Sequence, residues 1–142
     1  KLIRERGITL EYETKTVMIS VNPELFSRLL VNLVSNAYRY GRENGHIRVR
    51  LWQEDSSLVL SVADDGIGIA RNEQEKIFRR FYQADASRGG EGTGLGLAMV
   101  YEIARFYHGT VTVESVVDQG STFVVRMPAG QGCIFRTSAS IY

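Results

Sequence analysis

Two glycine-rich segments contain the residue type that lets a backbone bind phosphate groups. The first is residues 64–69, Asp-Asp-Gly-Ile-Gly-Ile, which directly follow a strand pattern; the second is residues 89–97, where five of the first eight residues are glycine. The second segment leads into a predicted helix, and the free N–H groups and partial positive charge of a helix N-terminus attract phosphate. Flexible linkage is the alternative interpretation of either segment alone.

Neither segment matches the two best-known phosphate-binding motifs. No Gly-Lys-Ser or Gly-Lys-Thr follows the second segment, which excludes a P-loop. The dinucleotide pattern G-x-G-x-x-G would need glycine at positions that hold Leu97 and Arg71. A different kind of phosphate site is therefore expected.

A polar stripe borders the apolar face of the first predicted helix. At helical spacing Asn32, Asn36, Arg39 and Tyr40 fall within about 100° of one another. Asparagine is a poor helix former, so two of them one turn apart beside a core indicate a function, although two solvated residues are the simpler alternative. Because an amide oxygen can bind Mg²⁺ and a guanidinium can bind phosphate, the stripe is a candidate metal and phosphate face.

Strand and helix patterns follow one another without strict alternation. Alternating runs predict strands at residues 8–12, 17–20, 47–52, 58–63, 110–115 and 122–127, with hairpins around 54–57 and 118–120. One helix is predicted to begin at Asn22-Pro23 and to run to Ala37, and another to run from about Gly94 with Gly109 as its C′ residue. The expected fold class is α+β, a two-layer sandwich of a mostly antiparallel sheet with helices on one face.

The composition narrows the class of protein. The chain has 142 residues and a net charge of +1, which gives no reason to expect a nucleic-acid or membrane-surface partner. Cys133 is the only cysteine, so no internal disulfide is possible and a cytoplasmic location is expected. No apolar run approaches the roughly 20 residues of a membrane span. Because the chain begins with Lys1, it is interpreted as a piece of a longer protein.

The order of these features resembles the N, G1, F and G2 boxes of the catalytic domains of bacterial sensor histidine kinases, members of the GHKL superfamily. The N box corresponds to residues 30–40, the G1 box to 64–68, the F box to 77–82 and the G2 box to 92–97. The resemblance covers about residues 1–128 and implies a Bergerat-type ATP-binding fold. Residues 129–142 are interpreted as a C-terminal tail.

The resemblance implies that one end of the site binds the phosphates of ATP. Asn36 would bind Mg²⁺, with Asn32 and Arg39 near the phosphates and Tyr40 on the same nucleotide-binding face. Arg80 would reach the phosphates from the F box. The expected catalytic residues are Asn32, Asn36, Arg39 and Arg80. Most relatives have lysine where Arg39 stands, a change that keeps the charge.

The other end would bind adenine. Asp64 would accept a hydrogen bond from the adenine amino group, and Gly66 and Gly68 would let the chain approach the base. Ile69 would help to wall the pocket, and Ser121 would help to hold adenine through water. Gly92, Gly94 and Gly96 would form the hinge and phosphate end of a lid, and the other G2 residues, Thr93, Leu95 and Leu97, would also bind the nucleotide.

One position separates the possible activities. Relatives such as the gyrase, Hsp90 and MutL ATPases carry a glutamate one turn before the magnesium asparagine, where it is a general base for hydrolysis. Asn32 occupies that position here, and a neutral amide cannot accept a proton from water. This favours a kinase that donates the γ-phosphate of ATP to a histidine on the dimerisation and phosphoacceptor helical domain of the same kinase. A response regulator would be the downstream partner.

A nucleotide-binding module without phosphate transfer is the second function class. The retained Asn36 and the G2 glycines argue against it. His46 and His108 are interpreted as structural, since neither lies in a His-Glu-x-x-x-Pro setting, and the acceptor histidine is expected to be absent from these residues. Phe78 and Phe81 are expected to pack within the lid. The resemblance also implies the cytoplasmic part of a membrane-anchored kinase, with no direct membrane contact by this domain.

Overall fold

The computed structural model describes residues 6–15, 17–18, 20–82, 95–128 and 134–135. In chain order the elements are β1 (Thr9–Thr14), β2 (Val17–Met18), α1 (Pro23–Arg39), β3 (His46–Glu54), β4 (Ser57–Asp64), a 3₁₀ turn (Arg71–Glu73), α2 (Gly96–Phe106), β5 (Thr110–Val116), β6 (Gly120–Pro128) and β7 (Ile134–Phe135). Within these described ranges, no helix is long and apolar enough to cross a membrane.

Five strands form one sheet in the order β1-β3-β4-β6-β5. β1 and β3 are parallel, whereas every other neighbouring pair in this sheet is antiparallel. The two predicted hairpins, β3–β4 and β5–β6, are confirmed. Their turns contain Asp55 at φ 56° and Asp118 at φ 68°, a left-handed conformation that aspartate tolerates better than most residues.

Both helices pack on one face of this sheet. Successive side chains of a strand point to opposite faces, so alternate residues of β3, β4 and β6 reach the helices. These residues are nearly fully buried: Ile47, Val49, Leu51, Leu58, Leu60, Val62, Phe123, Val125 and Met127. The helices add residues at helical spacing to the same cluster: Phe26, Leu29, Leu30, Leu33, Val100, Ile103 and Ala104. The predicted two-layer α+β sandwich is confirmed.

Side chains from outside the helix make hydrogen bonds with backbone groups at both ends of α1. At its start the Asn22 Oδ1 atom accepts hydrogen bonds from the N–H groups of Glu24 (2.8 Å) and Leu25 (3.2 Å), as expected for an N-cap. At its end the Arg6 guanidinium donates a hydrogen bond to the carbonyl oxygen of Gly41 (2.7 Å). A positive charge there also suits the negative end of the helix dipole.

The end of α2 differs from the prediction. His108, not Gly109, is the left-handed C′ residue, with φ 61°. The N–H of His108 donates to the carbonyl of Arg105 (2.9 Å), and that of Gly109 donates to the carbonyl of Ala104 (2.7 Å), which is the Schellman pattern. Position 109 requires glycine for another reason, because a Cβ there would lie 2.2 Å from the Arg126 carbonyl oxygen. The prediction of Gly109 at C′ is therefore wrong.

A short strand lies within the predicted C-terminal tail. β7 pairs antiparallel with β2, with Val17 opposite Phe135 and Met18 opposite Ile134. The interpretation of residues 129–142 as a C-terminal tail stays a prediction, and within these residues Ile134–Phe135 form this short strand. A two-residue strand is too short to produce the alternation from which strands are predicted. Cys133 lies outside the described residues.

Candidate nucleotide site

The G1 turn, residues 64–68, passes between two other parts of the chain. On one side the N–H of Ile67 donates a hydrogen bond to the carbonyl of Tyr40, the residue after α1 (3.0 Å). On the other side the N–H of Asp118, in the β5–β6 turn (residues 117–119), donates to the carbonyl of Ile67 (2.8 Å). The backbone of one residue thus joins the end of α1 to the β5–β6 turn.

Gly66 and Gly68 permit this close approach. A Cβ on Gly66 would lie 1.9 Å from the Tyr40 carbonyl oxygen, and one on Gly68 would lie 2.2 Å from the Val116 carbonyl oxygen. Gly68 also has φ +73°, which glycine adopts without steric cost. Both glycines therefore face protein backbone in this structure. That they also let the turn approach a base stays a prediction.

Asp64 is a partly buried acceptor at the end of β4. It lies opposite Ser121 of β6, and its Oδ1 atom accepts a hydrogen bond from the N–H of Gly66 (2.9 Å). Burial raises the pKa of Asp64 to about 6; the backbone N–H groups of Gly66 and Ser121 act in the opposite direction, and the charge of Asp65 raises it further. The carboxylate is thus mostly ionised at neutral pH, when it can only accept hydrogen bonds.

The neighbouring Asp65 has separate partners. Its Oδ1 accepts a hydrogen bond from the His46 N–H (2.9 Å), and its Oδ2 lies 3.1 Å from the His46 Nδ1. Desolvation acts to raise the pKa of Asp65, but the hydrogen bonds from His46 outweigh it, so the pKa lies below its ordinary value. These contacts give His46 a structural role and keep Asp65 ionised beside Asp64.

Ser121 is buried in a hydroxyl network. Its Oγ lies 2.8 Å from the Ser115 Oγ, which also accepts a hydrogen bond from the Ile69 N–H (2.7 Å) and donates one to the Gly120 carbonyl (2.9 Å). Because the single proton of Ser115 is used on Gly120, the Ser121 hydroxyl must donate its own proton to Ser115. Ser121 therefore offers only lone pairs to a ligand, as ionised Asp64 does.

The polar stripe of α1 faces the beginning of α2. Asn32, Asn36 and Arg39 are all half-buried. A Cβ on Gly96 would lie 3.3 Å from the Asn32 Oδ1, so the stripe and the first residue of α2 are neighbours. Among the described residues no side chain caps that helix, whose N-cap residue is Leu95, so no described side chain satisfies the N–H groups of its first turn.

The structure gives less information on the remaining predicted site residues. Gly92, Thr93 and Gly94 lie outside the described residues, and Leu97 packs against the core. Arg80 is exposed, and its approach to phosphate stays a prediction.

The two F-box aromatics behave differently from each other. Phe78 packs edge-to-face on Phe123, with ring centroids 6.1 Å apart, whereas Phe81 is 71% exposed and has φ 66°. The expectation that both rings pack is therefore wrong for Phe81. Residues 74–82 form turns rather than a helix, so helical spacing does not decide which side chains are covered.

Three polar residues beside the site were not predicted from the sequence. Ser115 lies on the same side of β5 as the half-buried Val111 and Val113, so a hydroxyl at an inward position of the alternation was an available signal. Arg42 lies in the loop between α1 and β3, where an arginine carries no distinguishing signal. Gln74 adds a further tie, since its Nε2 donates to the Ser115 carbonyl (3.1 Å).

Known proteins are similar to this chain in sequence and in fold. The family model for histidine kinase-, DNA gyrase B- and HSP90-like ATPases matches residues 21–131. The circadian input-output histidine kinase CikA of Synechococcus elongatus is 36% identical over 123 residues, which are 85% of this chain and 16% of that protein. The structure of the mycobacterial sensor histidine kinase MprB has a TM-score of 0.81 at 26% identity, over 90% of this chain and 88% of that one. Full-length ShkA in complex with AMPPNP has a TM-score of 0.80 at 26% identity, over 93% of this chain and 28% of that one.

The match thus concerns one part of larger proteins, since the chain spans 16% of CikA and 28% of ShkA. The chain belongs to the family of histidine kinase-, DNA gyrase B- and HSP90-like ATPases, and within it to the catalytic, ATP-binding domains of sensor histidine kinases.

Proposed function

We propose that this domain binds ATP with Mg²⁺ and donates the γ-phosphate to a histidine on a separate dimerisation and phosphoacceptor domain of the same kinase. The observation that carries the proposal is the position of Asn32, whose amide oxygen faces Gly96 at the start of α2. A glutamate there would serve as the general base of a hydrolase, whereas an amide cannot take a proton from water. Bound ATP is thereby protected from hydrolysis until an acceptor arrives.

The residues of the polar stripe fit Mg²⁺ that is held mainly by a nucleotide. Among the described residues, no group of three or more His, Cys, Asp or Glu side chains could hold a metal. Mg²⁺ commonly takes one or two protein oxygens and completes its shell with water and phosphate oxygens, so the amide of Asn36 is a suitable single ligand. Mg²⁺ would neutralise charge on the phosphates, and Arg39 would add a positive charge on the same side.

The base end fits adenine. Asp64 and Ser121 offer only acceptors at neutral pH, and the adenine amino group is a donor. Ile67 and Ile69 are half-buried beside them and would contact the faces of the ring. The similarity to ShkA, which was solved in complex with AMPPNP, supports a nucleotide as the ligand.

The acceptor histidine would come from outside these residues. His46 is bound to Asp65, and His108 occupies the left-handed end of α2, so both have structural positions. We therefore propose that the helical phosphoacceptor domain docks in the cytoplasm on the side where the stripe meets α2. A response regulator would then receive the phosphate.

Phosphate transfer in trans tests this proposal. The chain is mixed with radiolabelled Mg-ATP and a separately produced helical-hairpin acceptor domain, either intact or with its histidine changed to glutamine. We expect label on the intact acceptor only and no label on the chain alone. Acid-labile phosphate on the chain itself, or rapid phosphate release without any labelled acceptor, would contradict the proposal.

A further inference from the structure

Arg42 binds two segments of the candidate site through backbone carbonyl groups. Its Nε donates a hydrogen bond to the Asp65 carbonyl oxygen (2.7 Å), and its Nη2 donates to the carbonyl oxygens of Gly66 (3.2 Å) and Asp118 (2.7 Å). The first two carbonyls belong to the G1 turn, and the third belongs to the β5–β6 turn. One guanidinium therefore bridges two turns that are far apart in the chain.

The bridge lies next to the two acceptors at the base end. Asp64 immediately precedes the G1 carbonyls that Arg42 holds, and Ser121 follows the β5–β6 turn. Between these turns the described residues make one backbone-to-backbone hydrogen bond, from the Asp118 N–H to the Ile67 carbonyl (2.8 Å). Asp64 and Ser121 are themselves paired in the β4–β6 ladder, so the bonds of Arg42 act on the two turns that lie beyond these strand ends.

The chemistry of the bridge requires an arginine. A guanidinium presents its donors in a planar fork and can bond several carbonyls at once, whereas a lysine ammonium is a compact point donor on a flexible stem. The backbone of Arg42 is itself held, because its carbonyl accepts a hydrogen bond from the Gly45 N–H (2.9 Å). The fork is therefore presented from a fixed base.

We propose that Arg42 is a positioning residue of the nucleotide site, which fixes the backbone of Gly66 and Ile67 beside Asp64 by holding the G1 turn against the β5–β6 turn. This inference rests on the proposed nucleotide function. Arg42 acts through the backbone of the two turns, and its positive charge is not what the nucleotide needs from it.

Three variants separate positioning from charge and from general stability. Arg42→Lys keeps the charge without the fork, and Arg42→Met removes both. Arg6→Met is the matched control, because Arg6 also donates to backbone carbonyls at the end of α1, those of Tyr38 and Gly41, and makes no described hydrogen bond to the G1 turn or the β5–β6 turn. ATP and ADP affinities are measured by calorimetry well below the melting temperature of every variant. Amide exchange of Ile67 and Asp118 is followed by NMR.

We expect both Arg42 variants to lose at least about tenfold in affinity for ATP, with an equal loss for ADP, while Arg6→Met loses less than about threefold. The amides of Ile67 and Asp118 should exchange faster in the Arg42 variants only. Wild-type affinity in Arg42→Lys would show that charge alone matters, and equal losses in Arg6→Met would show a general effect on stability; either result would overturn the inference. If the wild type bound no ATP, the proposed function would fail, and unchanged exchange in the Arg42 variants would then independently refute the positioning role.

Discussion

In the proposed site, Asp64 and Ser121 would select a ligand because neither side chain has a free hydrogen-bond donor at neutral pH. The ionised carboxylate has no proton to give, and the Ser121 proton is used on Ser115, so a ligand that approaches both must bring the donor itself. The exocyclic amino group of adenine does so. Guanine presents a carbonyl oxygen at the same ring position, and two opposed acceptors in a partly buried site would leave polar groups unpaired.

The preference for ATP over GTP should therefore depend on pH. Above the pKa of Asp64, which is about 6, we expect ATP to bind at least about tenfold more tightly than GTP. Below that pH the carboxylic acid can donate a hydrogen bond to the guanine oxygen, so the ratio of ATP affinity to GTP affinity should decrease. Calorimetric affinities for both nucleotides at about pH 5.5 and about pH 7.5 test this, since effects on the phosphates are common to both and cancel in the ratio.

Asp64→Asn is the control for that experiment. An amide does not titrate, and it can rotate its NH₂ toward the guanine oxygen. The variant should bind ATP more weakly, with an ATP-to-GTP ratio that is smaller than that of the wild type and constant with pH. A wild-type ratio that is independent of pH would show that Asp64 does not select the base.

Asn36→Ala should show whether the amide is a metal ligand. We expect a loss of about tenfold in ATP affinity when Mg²⁺ is present and a change within about twofold in EDTA, because the amide acts on the nucleotide through the ion. Ser35→Ala, at an exposed position of the same helix, should change neither value. An equal loss in EDTA would remove Asn36 from the metal shell.

Candidate site residues that belong to a motif could be proposed from the sequence, whereas residues that bind distant backbone groups could not. Asn32, Asp64 and Gly66 lie in short patterns whose chemistry depends on side-chain type. Arg42 instead binds carbonyl groups 23 and 76 residues away, and every residue has a carbonyl, so no pattern marks its partners. Ser115 is intermediate, because its inward position was visible but its partners were not.

At the scale of single elements, the end of α2 carries strain that substitution can relieve. His108 has φ 61°, where a residue with a Cβ is disfavoured and glycine is not. His108→Gly should raise the free energy of unfolding by about 1 kcal/mol in denaturant titrations, without changing ATP affinity. His108→Ala keeps a Cβ and should give no such gain. A large loss of ATP affinity in His108→Gly would instead give the histidine a functional role.

The elements themselves followed from sequence periodicity wherever they were long. α1 was predicted because six apolar residues recur at helical spacing, and both hairpins were predicted because runs of six residues alternate between two faces; caps or turn residues mark the ends. The pairing of β2 with β7 was missed, since two-residue strands have no period and their partners are remote in the chain. The end of α2 was misplaced by one residue because glycine at C′ is a statistical preference that a neighbouring histidine can replace.

At the scale of the whole molecule, the raised pKa of Asp64 links stability to pH. Between its ordinary value of 3.8 and about 6 the folded protein retains a proton that the unfolded chain has lost. The free energy of unfolding should therefore fall as pH rises through this window and level off above it. Asp64→Asn lacks the titration, so it should become more stable than wild type by about 1–2 kcal/mol above pH 6, with no such advantage near pH 4.

Denaturant unfolding across this pH range measures the difference in unfolding free energy between Asp64→Asn and the wild type. Ser35→Ala changes no ionisable group at an exposed position of α1, so the difference in unfolding free energy that it causes should not vary with pH. A variant-to-wild-type difference that has the same pH dependence at both positions would contradict the link to Asp64.

The pairing of β4 with β6 has a consequence for the time course of folding. Each hairpin can form from local contacts, but Asp64 and Ser121 come from different hairpins and meet only where β4 and β6 join. Long-range pairings form late because they must close large loops. Nucleotide capture should accordingly begin only with the last cooperative step of refolding. A nucleotide bound across this junction opposes its opening, so the lifetime of the folded domain should lengthen as nucleotide concentration rises.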